Sequence, residues 1–196
     1  MRVFIAVLVL TFGLQSLTKA DDIRDFQIEG MGVGDSLLDY YSEEEIKSRI
    51  FEDYPGSDKF KRFYSYKHES FKTYEGVQVN FKKNDKKYII HALAGQIDFP
   101  NNIQECLKLK KKIVKDFEAI FFSAKKYSET NKKRYDKTGK SISYITQFHL
   151  PSKDSATIEC SDWSDKITKK TNLDDNINVR LETKKFGEFL MYDAFN

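Results

Sequence analysis

Apolar and polar residues alternate along the chain in two separate blocks of short segments. In the first block the alternation runs through Phe63, Tyr64 and Tyr66, then through 77–81, then through 88–99. Such alternation predicts half-buried strands, and the polar segment 82–87 predicts a hairpin loop between the last two. The first block is therefore predicted to be an antiparallel meander of three strands.

The second block of strand patterns begins after a polar, lysine-rich segment from Lys125 to Lys140, which we interpret as a connection. Strands are predicted over Ser141–Leu150, Ser155–Trp163, Asn176–Thr183 and Glu188–Tyr192. In the third of these, Ile177, Val179 and Leu181 alternate with Asn178, Arg180 and Glu182. That alternation predicts a strand with one face in solvent.

Helical spacing of apolar residues is clearest between the two blocks. From Asn102 to Ala124, apolar side chains recur on one helical face, and Asn102 stands three residues before Glu105, which favours Asn102 as the N-cap. The opposite face carries Lys108, Lys111, Lys112 and Lys115. A helix of this length, about 34 Å, is long enough to lie across a whole sheet.

A second helical region is predicted near the start of the chain. Three glycines in 30–34 permit a turn, after which Ser36 precedes Asp39 by three residues and Ser42 precedes Glu45 by three. Both spacings are typical of a capping box. The apolar stripe that follows predicts two short helices or one kinked helix, with Ser36 and Ser42 as caps.

The order of these elements predicts an α+β fold of two helix-on-antiparallel-sheet halves. The first half, 21–99, would hold a helix plus three strands, and the second, 100–196, the long helix plus three or four strands. Repetition of the same order favours two related halves, although one continuous domain remains an alternative.

Residues 1–20 predict a secretory signal peptide. Arg2 is followed by an apolar run from Val3 to Leu10, and small residues stand at the −3 and −1 positions of a cut after Ala20. The run is shorter than the about 20 apolar residues of a membrane span, so we do not expect 1–20 to be a membrane anchor. No membrane span is expected after the signal is removed. We therefore expect a periplasmic or secreted protein.

Charge and cysteine content narrow the class of protein further. The whole chain has 33 basic and 30 acidic residues, and removing 1–20 takes away Arg2 and Lys19, which leaves a charge of +1. A nucleic-acid partner is not expected at that balance. In an oxidising compartment Cys106 and Cys160 favour a disulfide, which would close a loop of about 54 residues; two separate buried thiols are the alternative.

Gly34-Asp35-Ser36-Leu37 spells the nucleophile motif of the GDSL esterases. A serine nucleophile needs a base and oxyanion donors, yet the later Gly-x-Asn-Asp and Asp-x-x-His motifs of those enzymes are missing from this chain. Helix capping explains Ser36 without catalysis. We therefore predict no catalytic residues and keep a GDSL-like serine hydrolase as an alternative.

Cofactor and metal motifs are incomplete in the sequence. The glycines of 30–34 do not fit the dinucleotide fingerprint, and Asp174-x-Asn176-x-Asn178 opens like an EF-hand loop but continues with Val179 where glycine is needed. His68, His91 and His149 are isolated from one another along the chain. No cofactor and no metal are expected.

The lysines 108, 111, 112 and 115 form the most concentrated positive region. These lysines are a candidate surface for contact with an anionic cell envelope. The simpler interpretation is that they form the solvated face of a helix and bind nothing.

The segment Ile28-Glu-Gly-Met-Gly-Val-Gly-Asp-Ser-Leu-Leu38 resembles a strand-glycine-helix opening. Over about a dozen residues it is similar to the units of the β-lactamase-inhibitor-like and outer-membrane-assembly lipoprotein families. Over its whole length the chain resembles uncharacterised small secreted, periplasmic proteins of Gram-negative bacteria. The resemblance implies export and a helix-on-sheet unit, and it implies no activity.

Together these observations predict an exported, non-catalytic protein that binds an unknown protein or envelope partner. One alternative is the hydrolase using Ser36. The other is an envelope-structural component that uses the lysine-rich helix face.

Overall fold

The computed structural model describes residues 22–51, 54 and 58–195, so the predicted signal peptide lies outside the described residues. The described chain forms ten strands, four α-helices and two short 3₁₀ helices. The strands are β1 Gln27–Ile28, β2 Met31–Gly32, β3 Ile50–Phe51, β4 Phe60–Tyr66, β5 Gly76–Lys82, β6 Ala92–Asp98, β7 Lys125–Lys132, β8 Ile142–His149, β9 Ser155–Asp162 and β10 Asn176–Glu182. The helices are α1 Glu43–Ser48, α2 Ile103–Ile120, α3 Asp165–Thr171 and α4 Lys184–Tyr192, and the 3₁₀ helices are Ile23–Asp25 and Leu37–Asp39.

Eight strands form one antiparallel sheet in the order β3-β4-β5-β6-β10-β9-β8-β7, and β1 pairs with β2 in a separate hairpin. The chain first builds the meander β3 to β6 and then crosses through α2 to the far edge. From there the meander β7 to β10 returns to the centre. The two meanders join where β10 pairs with β6, from Asn176 opposite Asp98 to Glu182 opposite Ala92.

The prediction of two helix-on-sheet halves is therefore wrong. Alternation within strands reports which face is buried, but it carries no information on which strands pair across the molecule. The β6–β10 pairing merges both blocks into one sheet. The helix predicted for the first half is only the six-residue α1 with a 3₁₀ turn before it, too short to cover a sheet.

Two further segment predictions are corrected. The segment 125–140, which we interpreted as a connection, contains the eight-residue edge strand β7. All residues of β7 are exposed, so apolar and polar residues do not alternate along it. Charged residues, lysine above all, are the usual protection of an edge strand. The predicted strand Glu188–Tyr192 belongs to helix α4, which the Thr183 side chain caps by accepting a hydrogen bond from the Phe186 N–H.

Helix α2 packs on β9 and β10 and buries Cys106 and Phe117. The register aligns the side chains that face it, with Leu93, Leu181, Ala156 and Phe148 side by side on β6, β10, β9 and β8. All four are almost completely buried. This side of the sheet is therefore the main hydrophobic core, which we call the α2 face.

The segment 22–41, together with α2, covers the α2 face. Ile23, Ile28 and Leu37 are buried in the same core, and the Phe26 ring lies 4.5 Å from that of Phe121 just after α2. The turn between β1 and β2 has positive φ at both Glu29 and Gly30, as a type I′ hairpin turn requires. The Glu29 carboxylate then accepts three backbone N–H groups, those of 72–74, each at 2.7 Å.

The three serine and asparagine positions singled out in the sequence all begin helices. Ser42 and Glu45 form a reciprocal capping box at α1. Asn102 accepts a hydrogen bond from the Glu105 N–H at the start of α2. Ser36 accepts from the Leu38 N–H and begins a 3₁₀ turn.

Cys106 on α2 and Cys160 on β9 form a disulfide with a Cα–Cα distance of 6.0 Å. We expect the double variant Cys106→Ala/Cys160→Ala to lose roughly 3–4 kcal/mol of stability, because the bond restricts a loop of 54 residues in the unfolded chain. Urea denaturation with and without reductant measures this loss. Equal midpoints for the oxidised wild type and the double variant would contradict it.

Gly95 of β6 lies directly beneath the Tyr74 ring, and a Cβ at this position would come within 2.5 Å of ring atoms. We expect Gly95→Ala to cost about 1–3 kcal/mol by overpacking. Gly187→Ala is the matched control, since a Cβ there meets its nearest atom at 3.7 Å and alanine favours the helix. Thermal denaturation should show a lower melting temperature for Gly95→Ala than for wild type, and no decrease for Gly187→Ala. An unchanged melting temperature for Gly95→Ala would show that the Tyr74 ring moves aside at no cost in stability.

Candidate functional site

The opposite side of the sheet carries polar side chains across seven strands, and we call it the polar face. Its central row, read from the strand register, is Tyr64, Gln78, Ala94, Arg180, Thr157, Gln147 and Tyr127. One flanking row is Tyr66, Gly76, Gln96, Asn178, Glu159, Ile145 and Glu129, and the other is Arg62, Asn80, Ala92, Glu182, Ser155, His149 and Lys125. The alternation of apolar with polar residues in each strand produces this contrast between faces.

Helix α4 bounds the polar face at one end. Phe186 and Phe189 pack on Phe60 and Ala92 in a second apolar cluster, with the Phe60 ring 4.8 Å from that of Phe189. Arg62 and Asn80 lie in the same corner, where the Tyr54 hydroxyl donates to Asn80 Oδ1 at 2.7 Å. α4 therefore covers only this end of the rows.

An ion pair next to an indole bounds the other end. Lys133 Nζ donates to Glu159 Oε1 at 2.8 Å and lies 4.5 Å from the centre of the Trp163 ring. Glu159 also accepts from the hydroxyls of Ser143 and Ser161. Burial alone would raise the pKa of Glu159, but the Lys133 charge and these hydrogen bonds outweigh it and hold the pKa below its ordinary value.

Buried polar atoms without a hydrogen-bond partner are concentrated on this face. Within the described part of the chain they include Asn80 Nδ2, Thr157 Oγ1, Trp163 Nε1, Arg180 Nε and Glu182 Oε2. Buried polar groups are nearly always paired, and an unpaired one costs about 1–3 kcal/mol. These atoms have almost no solvent-accessible area, so they lie beneath the outer surface of the polar face.

Arg180 stands at the midpoint of the central row. Its Nε lies 3.0 Å from Glu182 Oε2, close enough for an ion pair but without the alignment of a hydrogen bond. Glu182 Oε1 accepts from the Ser155 hydroxyl, which fixes that carboxylate beside the arginine. The arginine side chain keeps 31% exposure, whereas its neighbour across the register, Thr157, is 5% exposed.

The Ser36 hydroxyl donates to the Lys87 carbonyl at 2.7 Å and accepts from the Leu38 N–H. Its proton is thus directed at a backbone carbonyl. The histidines lie in aromatic surroundings elsewhere: His68 against Tyr41, His91 against Phe60 and His149 against Tyr127. These contacts match the capping interpretation of the motif.

Lys108, Lys111, Lys112 and Lys115 are exposed on α2, on the other side of the molecule from the polar face. Lys108 approaches Glu105 at 3.8 Å. Lys110 differs, because its Nζ turns towards the sheet and donates to Thr146 Oγ1, and burial lowers its pKa. The structure therefore does not bring the lysine-rich surface together with the polar face.

The polar face was missed in the sequence apart from Asn178, Arg180 and Glu182 on one strand. The sequence does show the polar residues that alternate with apolar ones in each strand, including Gln78 and Gln147. It could not be assembled into one surface, because the order of the strands was unknown.

Comparison with protein-family models, with curated proteins and with solved structures finds no match to this chain. Among the helices of the described residues, none is long and apolar enough to cross a membrane. Over the same part of the chain, histidine, cysteine and acidic side chains nowhere gather in a group of three that could hold a metal.

Asp136 organises the loop that carries Lys133 to the polar face. The Thr138 hydroxyl, with those of Ser141 and Ser164, donates to its carboxylate and lowers the pKa of Asp136 far below the ordinary value, against the opposing effect of burial. A carboxylate with a lowered pKa in the folded state stabilises the fold above its unfolded pKa, near 3.9. That contribution is lost progressively as the pH falls below about 4.

We therefore expect Asp136→Asn to lower the melting temperature at pH 7, with the difference from wild type shrinking below about pH 4. Glu118→Gln, which removes an exposed carboxylate paired with Lys126, should change the melting temperature little at either pH. Thermal denaturation across pH 2–7 tests both variants. A difference for Asp136→Asn that stays constant over this range would show that ionisation is irrelevant.

Proposed function

We propose that this protein is a non-catalytic binding protein whose polar face receives a protein partner. The observation that carries the proposal is the breadth of that face, on which polar side chains extend in register across seven strands. The opposite face is apolar and covered by α2 and 22–41, so a partner has no comparable access there.

The size and shape of the polar face favour a protein over a small ligand. Six inter-strand steps of about 4.8 Å separate Tyr64 from Tyr127, which gives a row about 29 Å long. That length fits a protein–protein interface, whereas small ligands are held in concave pockets. Tyr64 and Tyr127 are 37% and 56% exposed, and tyrosine is enriched in interfaces because it combines apolar area with a polar tip.

Two observations support this function over the alternatives from the sequence. The Ser36 hydroxyl is engaged with a backbone carbonyl, which favours its role as a cap over a hydrolase. The lysines of α2 lie on the far side from the unpaired polar atoms, and an exposed lysine-rich helix face is well solvated without a partner.

We further propose that the protein acts in the periplasm or another oxidising compartment. The disulfide supports this location, since disulfides persist in such compartments and are rare in the cytosol. The signal-like pattern of 1–20 supports it from the sequence.

Site-specific photo-crosslinking in the producing cells tests the binding face. A photoreactive residue replaces Gln78 or Gln147 on the polar face, and as matched controls Lys112 or Lys115 on α2. We expect one discrete crosslinked partner at both polar-face positions and none at the α2 positions, and the purified partner should bind the purified protein. Crosslinks confined to α2 would contradict the proposal and favour the envelope-structural alternative.

A further inference from the structure

We infer that Tyr64 and Tyr66 anchor an arginine side chain of the protein partner. This inference rests on the proposed function and names the chemistry recognised at the β4 end of the polar face. Three features of that end carry it: two exposed, nearly parallel rings, a glycine that lets them lean across the sheet, and two carboxylates beside them that no basic side chain of the described residues pairs.

The two tyrosine rings lie side by side and are open to solvent. Their centroids are 6.3 Å apart and their planes differ by 17°. Tyr64 is 37% exposed and Tyr66 is 44% exposed, so a partner can reach both rings. Large aromatic side chains that a partner covers are typical anchors of protein interfaces.

Gly76 of β5 lets both rings lean across the sheet. It lies opposite Tyr66 in the register, and a Cβ there would come within 2.8 Å of the Tyr64 hydroxyl and 3.2 Å of the Tyr66 ring. The Tyr66 hydroxyl reaches past this position and donates to Asp98 Oδ2 on β6 at 2.7 Å. The rings therefore extend over β5 and end next to a carboxylate.

Two carboxylates meet at that end of the rings. Asp98 accepts hydrogen bonds from Gln96 Nε2 and from the Tyr66 hydroxyl, and Glu75 Oε2 accepts from the Asp98 N–H, each at 2.7 Å. Within the described residues neither acid forms an ion pair with a lysine or arginine. Both acids are partly exposed, and a carboxylate has about four acceptor sites, so each can still accept from a partner.

The charges of these acids act on both rings. The hydrogen bond to Asp98 raises the pKa of Tyr66 and burial raises that of Tyr64, and the charges of Asp98 and Glu75 add to both shifts. Lys67 Nζ lies 5.1 Å from the centre of the Tyr66 ring, so a cation of the chain itself already contacts the pair. Its single charge leaves an excess of negative charge beside the rings.

A guanidinium combines the two contacts that this site offers. Its planar face stacks on a tyrosine ring, and its N–H groups donate in pairs to a carboxylate at the edge of the ring. The ammonium of lysine is a compact point charge that holds its water more strongly. An anionic group would be repelled by Asp98 and Glu75. The site therefore favours arginine.

The open position of the site indicates that the arginine belongs to a protein. An exposed ion pair alone contributes little to binding. A protein that covers the row from Tyr64 to Tyr127 would exclude water from the rings and from the carboxylates. Exclusion of water strengthens both the cation–π contact and the charge-assisted hydrogen bonds.

The first test is an NMR titration of the full chain, isotope-labelled in its tyrosine rings, with the peptide acetyl-Gly-Arg-Gly-amide. We expect saturable shifts of the Tyr64 and Tyr66 ring signals, with a dissociation constant on the order of millimolar. Acetyl-Gly-Lys-Gly-amide should bind at least about threefold more weakly. A lysine peptide that binds as tightly as the arginine peptide, or an arginine peptide that shows no saturation, would overturn the inference.

Variants identify the groups that bind in the same titration. Asp98→Asn should abolish the saturable response, because it removes the charge and keeps an acceptor for the Tyr66 hydroxyl. Glu129→Gln is the matched control, since it removes an exposed acid from the same face at β7, and it should bind like wild type. Lys67→Gln should bind the arginine peptide more tightly, because it removes a competing cation. Wild-type binding by Asp98→Asn, or no gain for Lys67→Gln, would contradict a cation site at the rings.

The second test uses the partner identified by crosslinking. We expect Tyr64→Ala and Asp98→Asn to weaken its binding about 30-fold or more, as for hot spots, and Glu129→Gln to weaken it less than about 3-fold. In the partner, changing one surface arginine to lysine should reproduce the loss, and a partner that tolerates every such change would refute the assignment to arginine. Crosslinking at Gln78 and Gln147 with unchanged affinity for both site variants would refute the anchor and leave the binding face intact.

Discussion

The pairing of β10 with β6 is the constraint on which the rest of this structure depends. It is formed between the last described strand and the last strand of the first meander, so it joins residues 78 to 90 positions apart. The neighbours of this pair are closer along the chain: β5 reaches β6 through residues 83–91, and β9 reaches β10 through residues 163–175, which include α3. Once the two central strands are in register, every transverse row of the sheet is set, and so is the division of side chains between the two faces.

The two faces then follow opposite physical rules. On the α2 face, hydrophobic burial dominates, with Phe63, Leu93 and Phe148 beneath the helix and the amino-terminal segment, and the disulfide ties α2 to β9. On the polar face, several hydrogen-bonding groups are buried among neighbouring side chains. Arg180 and Thr157 lie side by side at its centre.

This arrangement supports the proposed binding role. The polar face is broad and carries donors spaced along strands, which suits recognition by many small contacts. The serine of the esterase-like motif is used to turn the chain at 34–37 and to hold the 85–89 region through the Lys87 carbonyl. Its glycines and serine belong to the segment that completes the core, and that structural role accounts for the motif.

The sequence alone determined most of the individual elements, because local periodicity and capping act within a few residues. It located the long helix, the caps at Ser42 and Asn102, the apolar–polar alternation of β10 and the cysteine pair that forms the disulfide, but β10 is a central strand with no exposed residue, so the prediction that one of its faces lies in solvent is wrong. It missed β7, whose residues are all exposed, and predicted a strand for Glu188–Tyr192, which belongs to α4. Only the tertiary structure decided that there is one sheet and that Gln78, Arg180 and Gln147 share a row, because strand pairing joins distant segments through backbone hydrogen bonds that any sequence can make.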